Sequence, residues 1–392
     1  MKRICFVVDS IFSIGGVQRV TAVIATELAR TYEVTIITFD DPMTKDTSLY
    51  GLSEANISYT FFRYPPVGKL KQKCYRAYSG LYRKLRLPFK WASNLYAHSS
   101  FPPERQKALS KALNEGNYNV IIGVHAPLAT RLATLRKDLA NTNTKLIGWV
   151  HNSFEALFSE TSLYVGQDRL RHYVYQFMKL DKTILLCEHD KESYHHYDPN
   201  FHPAIIYNPL TLTPGMPSMG CSKRFLAVGR FSHLHKGFDI LIEAFHILAL
   251  HDSEWKLDIV GEGPEEMLYH SLINKYKLEE RVFIHPFTNR IQEYYSNAQI
   301  YVLSSRWEGF GLVLVEAMAH GLPIVSSDLP TSLEIMGDFG IYFKNGNTED
   351  LAQKLFEATQ INWPKKSKEA FQIAERFNVC NIIERWKTII EE

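Results

Sequence analysis

Short apolar runs alternate with amphipathic helical segments along the first half of the chain. Helical spacing of apolar residues is clearest in Val17–Ala29. The predicted strands are Ile4–Val8, Val34–Phe39, Ile57–Phe62, Val120–Val124, Leu146–Val150 and Ile184–Cys187. Continuous apolar strands separated by helices are typical of a parallel sheet covered on both faces. The pattern therefore predicts a doubly wound α/β domain.

A segment rich in proline and glycine, between Asn208 and Gly220, interrupts this alternation and marks a linker. The alternation then restarts, with helices predicted at Asp239–Leu250 and Glu265–Tyr276. The predicted strands of this half are Phe225–Val228, Leu257–Val260, Val282–Ile284, Ile300–Leu303 and Ile324–Ser326. We therefore expect two doubly wound domains, 1–207 and 208–377, with a C-terminal helix at about 378–392 packing back on the first. Ligands of such sheets bind at the carboxyl ends of the strands, which predicts a site in a cleft between the domains.

Composition narrows the class of protein. The 392 residues exceed what a single core holds, and 45% hydrophobic with 22% charged content is ordinary for a globular domain. The formal net charge of +2 implies no particular partner. The apolar run at the N-terminus is too short for a signal peptide, and no apolar segment approaches the ~20 residues of a membrane span. Five scattered cysteines without a CxxC pair favour reduced thiols and a cytoplasmic location.

The clearest chemistry lies in residues 304–323, which predict a strand end, a two-glycine loop and a short helix. Gly309 and Gly311 let the backbone approach a ligand closely. The free amide groups that open a helix favour a phosphate. A carboxylate would repel that phosphate, so Glu308 and Glu316 are interpreted as acceptors for neutral hydroxyls. Hydroxyls beside a phosphate indicate a nucleotide sugar.

Two cations follow the predicted strand Phe225–Val228. Arg230 and Lys236 lie at its carboxyl end, where a guanidinium fork and an ammonium group can together neutralise a diphosphate. The alternative is a basic loop that faces solvent. Further on, Gly261-Glu262-Gly263-Pro264 predicts a second strand-to-helix loop, with its helix beginning at Pro264.

A glycine pair, Gly15-Gly16, follows the first strand and precedes the first helix. It lets the backbone pass close to a substrate, or it forms a tight turn without a ligand. The first domain lacks GxGxxG, which disfavours a dinucleotide-linked oxidoreductase.

The chain resembles the retaining glycosyltransferases of family 4 in a set of features and in their order. These are Arg230, Lys236, the loop 261–264 and two glutamates separated by seven residues. The resemblance covers essentially the whole chain. It implies the GT-B fold, an α/β architecture of two doubly wound Rossmann-like domains that face each other across a cleft.

The resemblance also implies roles for individual residues. Arg230 and Lys236 would hold the donor diphosphate, and Glu316 would accept from the donor ribose. The implied donor site comprises Gly16, Arg230, Lys236, Glu262, Gly309, Phe310, Gly311, Leu312 and Glu316. Glu308 and the amides near Gly311 and Leu312 would hold the sugar and phosphate. Gln18 stands where many relatives carry glutamate, and it is assigned with Gly15 to the acceptor side.

Two histidines follow strand ends in the first domain. The resemblance puts His125 beside the reacting sugar, while His151 and Asn152 lie in a second cleft-facing loop. The alternative for each histidine is a structural role in the core.

These features predict a hexosyltransferase that uses a nucleotide-diphosphate sugar, with UDP favoured over GDP. The acceptor would be a glycan or a polyprenyl- or lipid-linked chain in bacterial lipopolysaccharide, capsule or exopolysaccharide synthesis. The predicted catalytic residues are His125, Arg230, Lys236 and Glu308. The resemblance implies retention, with a donor phosphate oxygen helping to deprotonate the acceptor. An epimerase of the same architecture and a non-catalytic nucleotide-sugar-binding protein are the alternatives.

A metal or other cofactor is not expected. The acidic and histidine-rich run 188–202 does not match a compact zinc pattern, and the adjacent His195 and His196 would point about 100° apart on a helix. The chain has no Asp-x-Asp motif. The run is therefore interpreted as a solvated helix end.

The segment Ala55–Pro103 contains nine basic residues and no acidic one. Within 66–90 it predicts a basic amphipathic helix whose apolar residues are Leu70, Cys74, Tyr78, Leu81 and Leu85. Such a helix can rest on an anionic membrane, here the inner face of the cytoplasmic membrane. Alternatively, it packs on the core with a solvated basic face. Nucleic acid is not an expected partner, because the tyrosines belong to the apolar side of the helix.

Overall fold

The computed structural model describes residues 1–160, 162 and 164–392, except the side chains of residues 233 and 234. The chain divides into two compact units. Unit 1 comprises Met1–Tyr207 and Ile382–Glu392, and unit 2 comprises Asn208–Asn381. Each unit is built on one sheet of parallel strands linked by helices.

The sheet of unit 1 has seven strands: β1 Arg3–Val8, β2 Glu33–Thr38, β3 Ile57–Phe61, β4 Val120–Val124, β5 Lys145–Trp149, β6 Lys182–Leu185 and β7 Ala204–Ile205. Their order is β3-β2-β1-β4-β5-β6-β7, and every pairing is parallel. The helices are α1 Gly16–Leu28, α2 Lys69–Leu85, α3 Lys90–Ser100, α4 Pro103–Gly116, α5 Ala126–Leu135, α6 Phe154–Phe158, α7 Leu170–Phe177 and α8 Glu188–Tyr197. The six strands predicted from the sequence are confirmed. The two residues of β7 are too few to form a recognisable pattern.

The sheet of unit 2 has six strands: β8 Arg224–Val228, β9 Lys256–Val260, β10 Val282–His285, β11 Ile300–Leu303, β12 Ile324–Ser327 and β13 Ile341–Phe343. Their order is β10-β9-β8-β11-β12-β13, again parallel throughout. The helices are α9 His233–Lys236, α10 Phe238–Ala249, α11 Glu266–Tyr276, α12 Ile291–Asn297, α13 Leu312–Met318, α14 Pro330–Met336, α15 Thr348–Thr359, α16 Trp363–Ala374 and α17 Val379–Glu391, which runs on into unit 1. The prediction of doubly wound α/β architecture is confirmed.

Both sheets are buried by helices on their two faces. All five residues of β4 and all four of β11 are buried, as continuous apolar strands require. Each unit has its own large apolar cluster. None of the helices in the described ranges combines the length and hydrophobicity of a membrane-spanning segment. All five cysteines are free thiols.

The last helix completes the core of unit 1. Trp386 of α17 is fully buried, and its ring centroid lies 4.7 Å from that of Trp149 on β5. The ammonium groups of Lys2 and Lys145 donate to carbonyls in the last turn of α17 at 3.1 and 2.8 Å. Cations at this end stabilise a helix because its final carbonyls are otherwise unpaired.

The basic helix α2 has two different apolar sides. Tyr78 and Tyr82 face α3, where the hydroxyl of Tyr78 donates to a backbone carbonyl at 3.0 Å and Tyr82 is 2% exposed. Leu70, Leu81 and Leu85 face outward and are 77%, 49% and 53% exposed. The predicted single stripe was therefore wrong in including Tyr78, because the inner tyrosines pack while the leucines stay uncovered.

The loop after β9 also differs from its prediction. Its helix α11 begins at Glu266, not at Pro264. Residues 261–265 instead pass along the loop that follows β8, and the backbone amide of Phe231 donates to the carbonyl of Glu262 at 2.8 Å.

The glycines of this loop permit that contact. A Cβ at Gly261 would collide with the carbonyl oxygen of Gly229, and a Cβ at Gly263 (φ +153°) would lie 2.9 Å from the amide nitrogen of Phe231. Because these two glycines have no side chain, the backbones of the two loops can approach each other this closely.

Gly261→Ala should destabilise the protein by about 1–3 kcal/mol, since the backbone of one loop must move to accommodate the new methyl group. Urea unfolding followed by tryptophan fluorescence measures the effect. Gly80→Ala in α2 is the matched control, because its Cβ meets nothing within 4 Å. It should be neutral or stabilise by up to about 1 kcal/mol. Equal stability of Gly261→Ala and the unmodified protein would contradict the close approach.

Candidate functional site

Two loops of unit 2 form the candidate site. One follows β8 and the other follows β11, which are neighbours in the sheet. Because parallel strands end at the same edge, these loops lie side by side at the carboxyl edge, where open α/β sheets bind ligands. The first loop carries Arg230 and Lys236, and the second carries Glu308.

Hydrogen bonds tie the two loops together. The hydroxyl of Ser304 donates to the carbonyl of Lys236 at 2.8 Å, and the amide of Arg306 donates to the carbonyl of His235 at 2.7 Å. Gly237 adopts φ +63°, and a Cβ there would collide with the Ser304 carbonyl. A glycine is therefore needed where the loops cross.

A guanidinium fork fixes the second loop to the helix after the first. Arg306 binds both carboxylate oxygens of Asp239 on α10, at 3.1 and 2.8 Å. The hydroxyl of Ser327 on β12 donates to the carbonyl of Ser305 at 2.7 Å. Bidentate pairing restricts orientation as well as distance, so the loop is held from two directions.

The centre of the site is a largely buried ion pair. The Lys236 Nζ lies 2.5 Å from the Glu308 Oε1, and the two side chains are 12% and 9% exposed. The hydroxyl of Ser305 donates to the same oxygen at 2.7 Å. Burial by itself raises the pKa of Glu308, but the Lys236 ammonium and the hydrogen bonds from Lys236 and Ser305 more than offset it. The net result is a lowered pKa, so Glu308 is ionised at neutral pH.

His235 stays neutral beside this pair. Burial and the positive charge of Lys236 lower its pKa to about 4, against a smaller opposing effect of Glu308. Its ring centroid lies 3.6 Å from that of Trp307. The pair therefore consists of one ammonium and one carboxylate, covered by an aromatic contact.

Arg230 differs from Lys236 in being exposed. Within the described residues its guanidinium has no hydrogen bond or ion pair. The stem of Lys236 packs on the neighbouring Gly229, where a Cβ would lie 3.0 Å from the Lys236 Cε. The loop therefore presents a free guanidinium near a paired ammonium.

The loop glycines and α13 complete this edge. Gly311, at φ +81°, precedes α13, which begins at Leu312, while Gly309 lies in the loop before it. Glu316 is 2% exposed, and the hydroxyl of Tyr295 donates to its Oε2 at 2.9 Å.

Two other predicted donor-site residues use their side chains differently. Phe310 is 4% exposed and packs on Phe377, with ring centroids 5.8 Å apart, which leaves its backbone for any ligand contact. Glu262 has an exposed side chain, and its carbonyl is used by the neighbouring loop.

In unit 1, His125 has an unusual backbone conformation. It joins β4 to α5 at φ +78° and ψ 150°, which costs a non-glycine residue of the order of 1–3 kcal/mol. Burial lowers the pKa of its imidazole, partly opposed by Asp9 and a hydrogen bond with Asn152. The imidazole is therefore neutral at physiological pH.

His151 lies beside it, with ring centroids 5.5 Å apart. It is 6% exposed, and neither ring nitrogen has a hydrogen-bond partner within the described part of the chain. Burial, followed by repulsion from His125, holds its pKa well below the ordinary value. The two neutral rings form a second polar feature, near the carboxyl ends of β4 and β5.

The glycine pair of unit 1 forms the start of α1. The helix begins at Gly16, and the amide of Gly15 donates to the hydroxyl of Tyr50 at 3.0 Å. The Gln18 side chain folds back over Gly15, where it occupies the position a Cβ would take.

The histidine-rich run forms α8 and its end, where His195 and His196 are exposed. No group of three or more His, Cys, Asp or Glu side chains in the described ranges is arranged to hold a metal ion.

The sequence did not reveal which residues hold the ion pair in place. These are Ser305, His235 and the Arg306–Asp239 fork. Their side chains come from separate loops, and no spacing rule joins them. The nearest signal was the position of Ser305 and Arg306 between a predicted strand and Glu308.

Replacing Lys236 by Met should destabilise the protein at pH 7 by about 3–5 kcal/mol, because the Glu308 charge is left buried without its partner. The pKa of Glu308 should then rise above its unfolded value, since burial is no longer opposed. The stability gap to the unmodified protein should narrow as the pH falls from 7 towards 4.5, because protonation relieves the penalty.

Urea unfolding at several pH values measures this gap. The double variant Lys236→Met/Glu308→Gln should recover much of the lost stability. A gap independent of pH, or no recovery in the double variant, would contradict the charge coupling.

Comparison with known proteins identifies the chain. A model described as Glycosyltransferase Family 4 matches residues 14–213, and one described as Glycosyl transferases group 1 matches residues 220–375. An uncharacterized glycosyltransferase of Haemophilus influenzae is 28% identical over the full length of both chains. The amylovoran biosynthesis glycosyltransferase AmsD of Erwinia amylovora is 26% identical over 66% of this chain and 73% of its own.

Solved structures share the fold at low identity. Anabaena HepE in complex with UDP superposes with a TM-score of 0.74 at 19% identity, covering 100% of both chains. TarM gives a TM-score of 0.74 at 15% identity, covering 100% of this chain and 99% of its own. With two parallel-sheet, Rossmann-like units and a family match across more than half its length, the chain belongs to glycosyltransferase family 4 and is a glycosyltransferase with the GT-B fold.

Proposed function

We propose that the protein transfers a hexosyl group from a nucleotide-diphosphate sugar, with UDP favoured over GDP, to a glycan or lipid-linked acceptor. The proposed pathway is bacterial surface-polysaccharide assembly. The observation that supports this proposal best is the buried Lys236–Glu308 pair, whose lysine lies in the same loop as Arg230, which has no partner within the described residues. The relative named for amylovoran biosynthesis and the HepE complex with UDP favour this substrate class.

Arg230 and Lys236 stabilise the departing diphosphate. Negative charge grows on that group as the anomeric bond breaks, and a guanidinium fork with an ammonium can share it. The loop hydrogen bonds hold Lys236 in place before the donor arrives, so little reorganisation is needed. Arg230 and Lys236 provide the positive charge that a bound metal ion could otherwise provide. The proposal therefore includes no metal or cofactor.

Glu308 positions the donor sugar. Its lowered pKa keeps it ionised, and an ionised carboxylate is a strong acceptor for sugar hydroxyls. Glu316 accepts from the donor ribose, with its carboxylate oriented by Tyr295. The backbone at Gly309, Gly311 and Leu312 lies beside the phosphates and sugar.

Unit 1 supplies the acceptor side. The strained backbone of His125 is retained because its neutral imidazole contacts a sugar hydroxyl or the developing oxocarbenium ion. His151, Asn152, Gly15 and Gln18 contribute further acceptor contacts, whereas Gly16 is assigned to the donor site. A donor phosphate oxygen helps to deprotonate the acceptor, and the anomeric configuration is retained.

The protein works in the cytoplasm at the inner face of an anionic membrane, to which α2 binds. Lys71 and Arg83 are occupied by Glu104 at 2.6 Å and Asp168 at 2.5 Å. Three other lysines of α2 have exposed side chains and no partner within the described residues: Lys69, Lys73 and Lys84. They flank the outward leucines of α2, so basic and apolar groups share one surface.

Arg230→Ala should lower transferase activity by about 100-fold or more, as does removal of a single transition-state donor in other enzymes. Free UDP or GDP is measured with a panel of donor sugars, with and without acceptor. Lys365→Ala is the matched control, since this exposed lysine of α16 lies outside both loops. Full activity in Arg230→Ala would overturn the donor site, and donor conversion without any acceptor would favour the epimerase.

Replacing Lys69, Lys73 and Lys84 by Gln should weaken binding to anionic liposomes by about 100-fold, at about 1 kcal/mol per basic residue near the surface. Liposome sedimentation measures the bound fraction. The control replaces Lys107, Lys111 and Lys137, which are also exposed residues of unit 1. Equal losses in the two triple variants would show a general charge effect and contradict a specific role of α2.

A further inference from the structure

Unit 1 contains a cavity that neither His125 nor His151 lines. It has a volume of about 420 Å³ and lies between α2, the end of α3 and the start of α4. The lining residues that matter chemically are Gln72, Arg76, Arg83, Ser99, Ser100 and Arg105. None of the described residues that line it is acidic, so the cavity carries three positive charges.

Two of these arginines have unused donors. Arg76 is exposed, with no hydrogen bond or ion pair among the described residues. The Nε of Arg105 is buried and lacks a hydrogen-bond partner, while its guanidinium lies 5.5 Å from the ring centroid of Tyr64. Arg76 and Arg105 therefore have N–H groups that no described residue accepts from, and an anionic ligand in the cavity can accept from those that are accessible.

The third arginine is partly occupied. The Nε of Arg83 pairs with Asp168 at 2.5 Å, but a guanidinium has further N–H groups to offer. The nearby carboxylate of Glu104 binds Lys71 at 2.6 Å and is not part of the lining. The net field in the cavity therefore stays positive.

A neutral donor accompanies the cations, because Gln72 adds a side-chain amide to the lining. The hydroxyl of Ser99 donates to the carbonyl of Tyr96 at 2.9 Å, so the hydroxyl of Ser79, 2.8 Å away, donates to Ser99, and neither proton is left for a ligand. Arginine forks with an amide donor match the several oxygens of a phosphate or diphosphate group, and the volume is within the range of ligand sites.

The position in the fold also suits a substrate group. Tyr64 follows the carboxyl end of β3, and Arg105 lies in the first turn of α4, which leads back to the start of β4. Both therefore lie towards the carboxyl edge of the sheet, where such folds bind ligands. The same helix α2 exposes Leu70 and Leu81 on its outer side, so a phosphate site adjoins an apolar surface.

We propose that this cavity is a second anion site, which binds the phosphate or diphosphate group of a lipid-anchored substrate or of a soluble phosphate ester. It lies in unit 1, so it goes beyond the proposed donor site and does not depend on it.

The test is calorimetric titration with two probes, inorganic pyrophosphate and dodecyl phosphate below its micelle concentration. The variant Arg76→Gln/Arg105→Gln should bind the probes at least tenfold more weakly than the unmodified protein. Arg76→Gln alone should weaken binding of the probes by a smaller factor. This single variant still tests the site if Arg105→Gln disturbs packing on Tyr64. The charge-matched control is Lys107→Gln/Lys137→Gln, which should bind normally.

Preferential binding of dodecyl phosphate would identify a lipid-anchored ligand, and equal binding of both probes would identify a soluble phosphate ester. Arg230→Ala separates this site from the proposed donor site. Binding lost in Arg230→Ala but kept in Arg76→Gln/Arg105→Gln would place the anion in unit 2 and overturn the inference. Failure of the unmodified protein to bind either probe would also overturn it.

Discussion

The buried pair of Lys236 and Glu308 joins two loops that are 72 residues apart in the chain. Each charge makes the burial of the other tolerable, because an unpaired ion in this position would be strongly destabilising. Ser305, His235 and the Arg306–Asp239 fork then restrict the geometry further. The two loops are therefore held together without a ligand, while Arg230 is exposed and has no partner within the described residues.

The two units carry different kinds of polar side chain at their candidate sites. Unit 2 has Arg230, Lys236 and Glu308 at one edge of its sheet, so its polar groups there carry fixed charges. Unit 1 offers neutral imidazoles at His125 and His151, held uncharged by burial. A neutral ring can donate to one partner and accept from another without adding a positive charge.

The fold was predictable from the sequence because nearly every strand is a continuous apolar run flanked by helical segments. Only β7 and β13, of two and three residues, fell below the length at which a pattern exists. Arg230, Lys236 and Glu308 could be named as candidates because they follow strand ends, and the structure places their two loops side by side. The pairing of Lys236 with Glu308 was not predictable, since register between distant loops is set by tertiary packing. Tertiary packing also explains why two details of the sequence were misread. Gly261 and Gly263 are small because a neighbouring backbone passes close to them. Tyr78 packs on α3, whereas the leucines of the same helix are exposed.

Helix α17 leaves unit 2 at Asn381 and supplies Trp386 to the core of unit 1. Unit 2 is one uninterrupted stretch of chain, whereas unit 1 needs residues from both sides of it. During synthesis on the ribosome, unit 1 lacks the partner of Trp149 until all of unit 2 and then α17 have been made. Until α17 emerges, unit 1 leaves the apolar surface around Trp149 uncovered. Unit 1 is therefore the part most exposed to chaperones and aggregation.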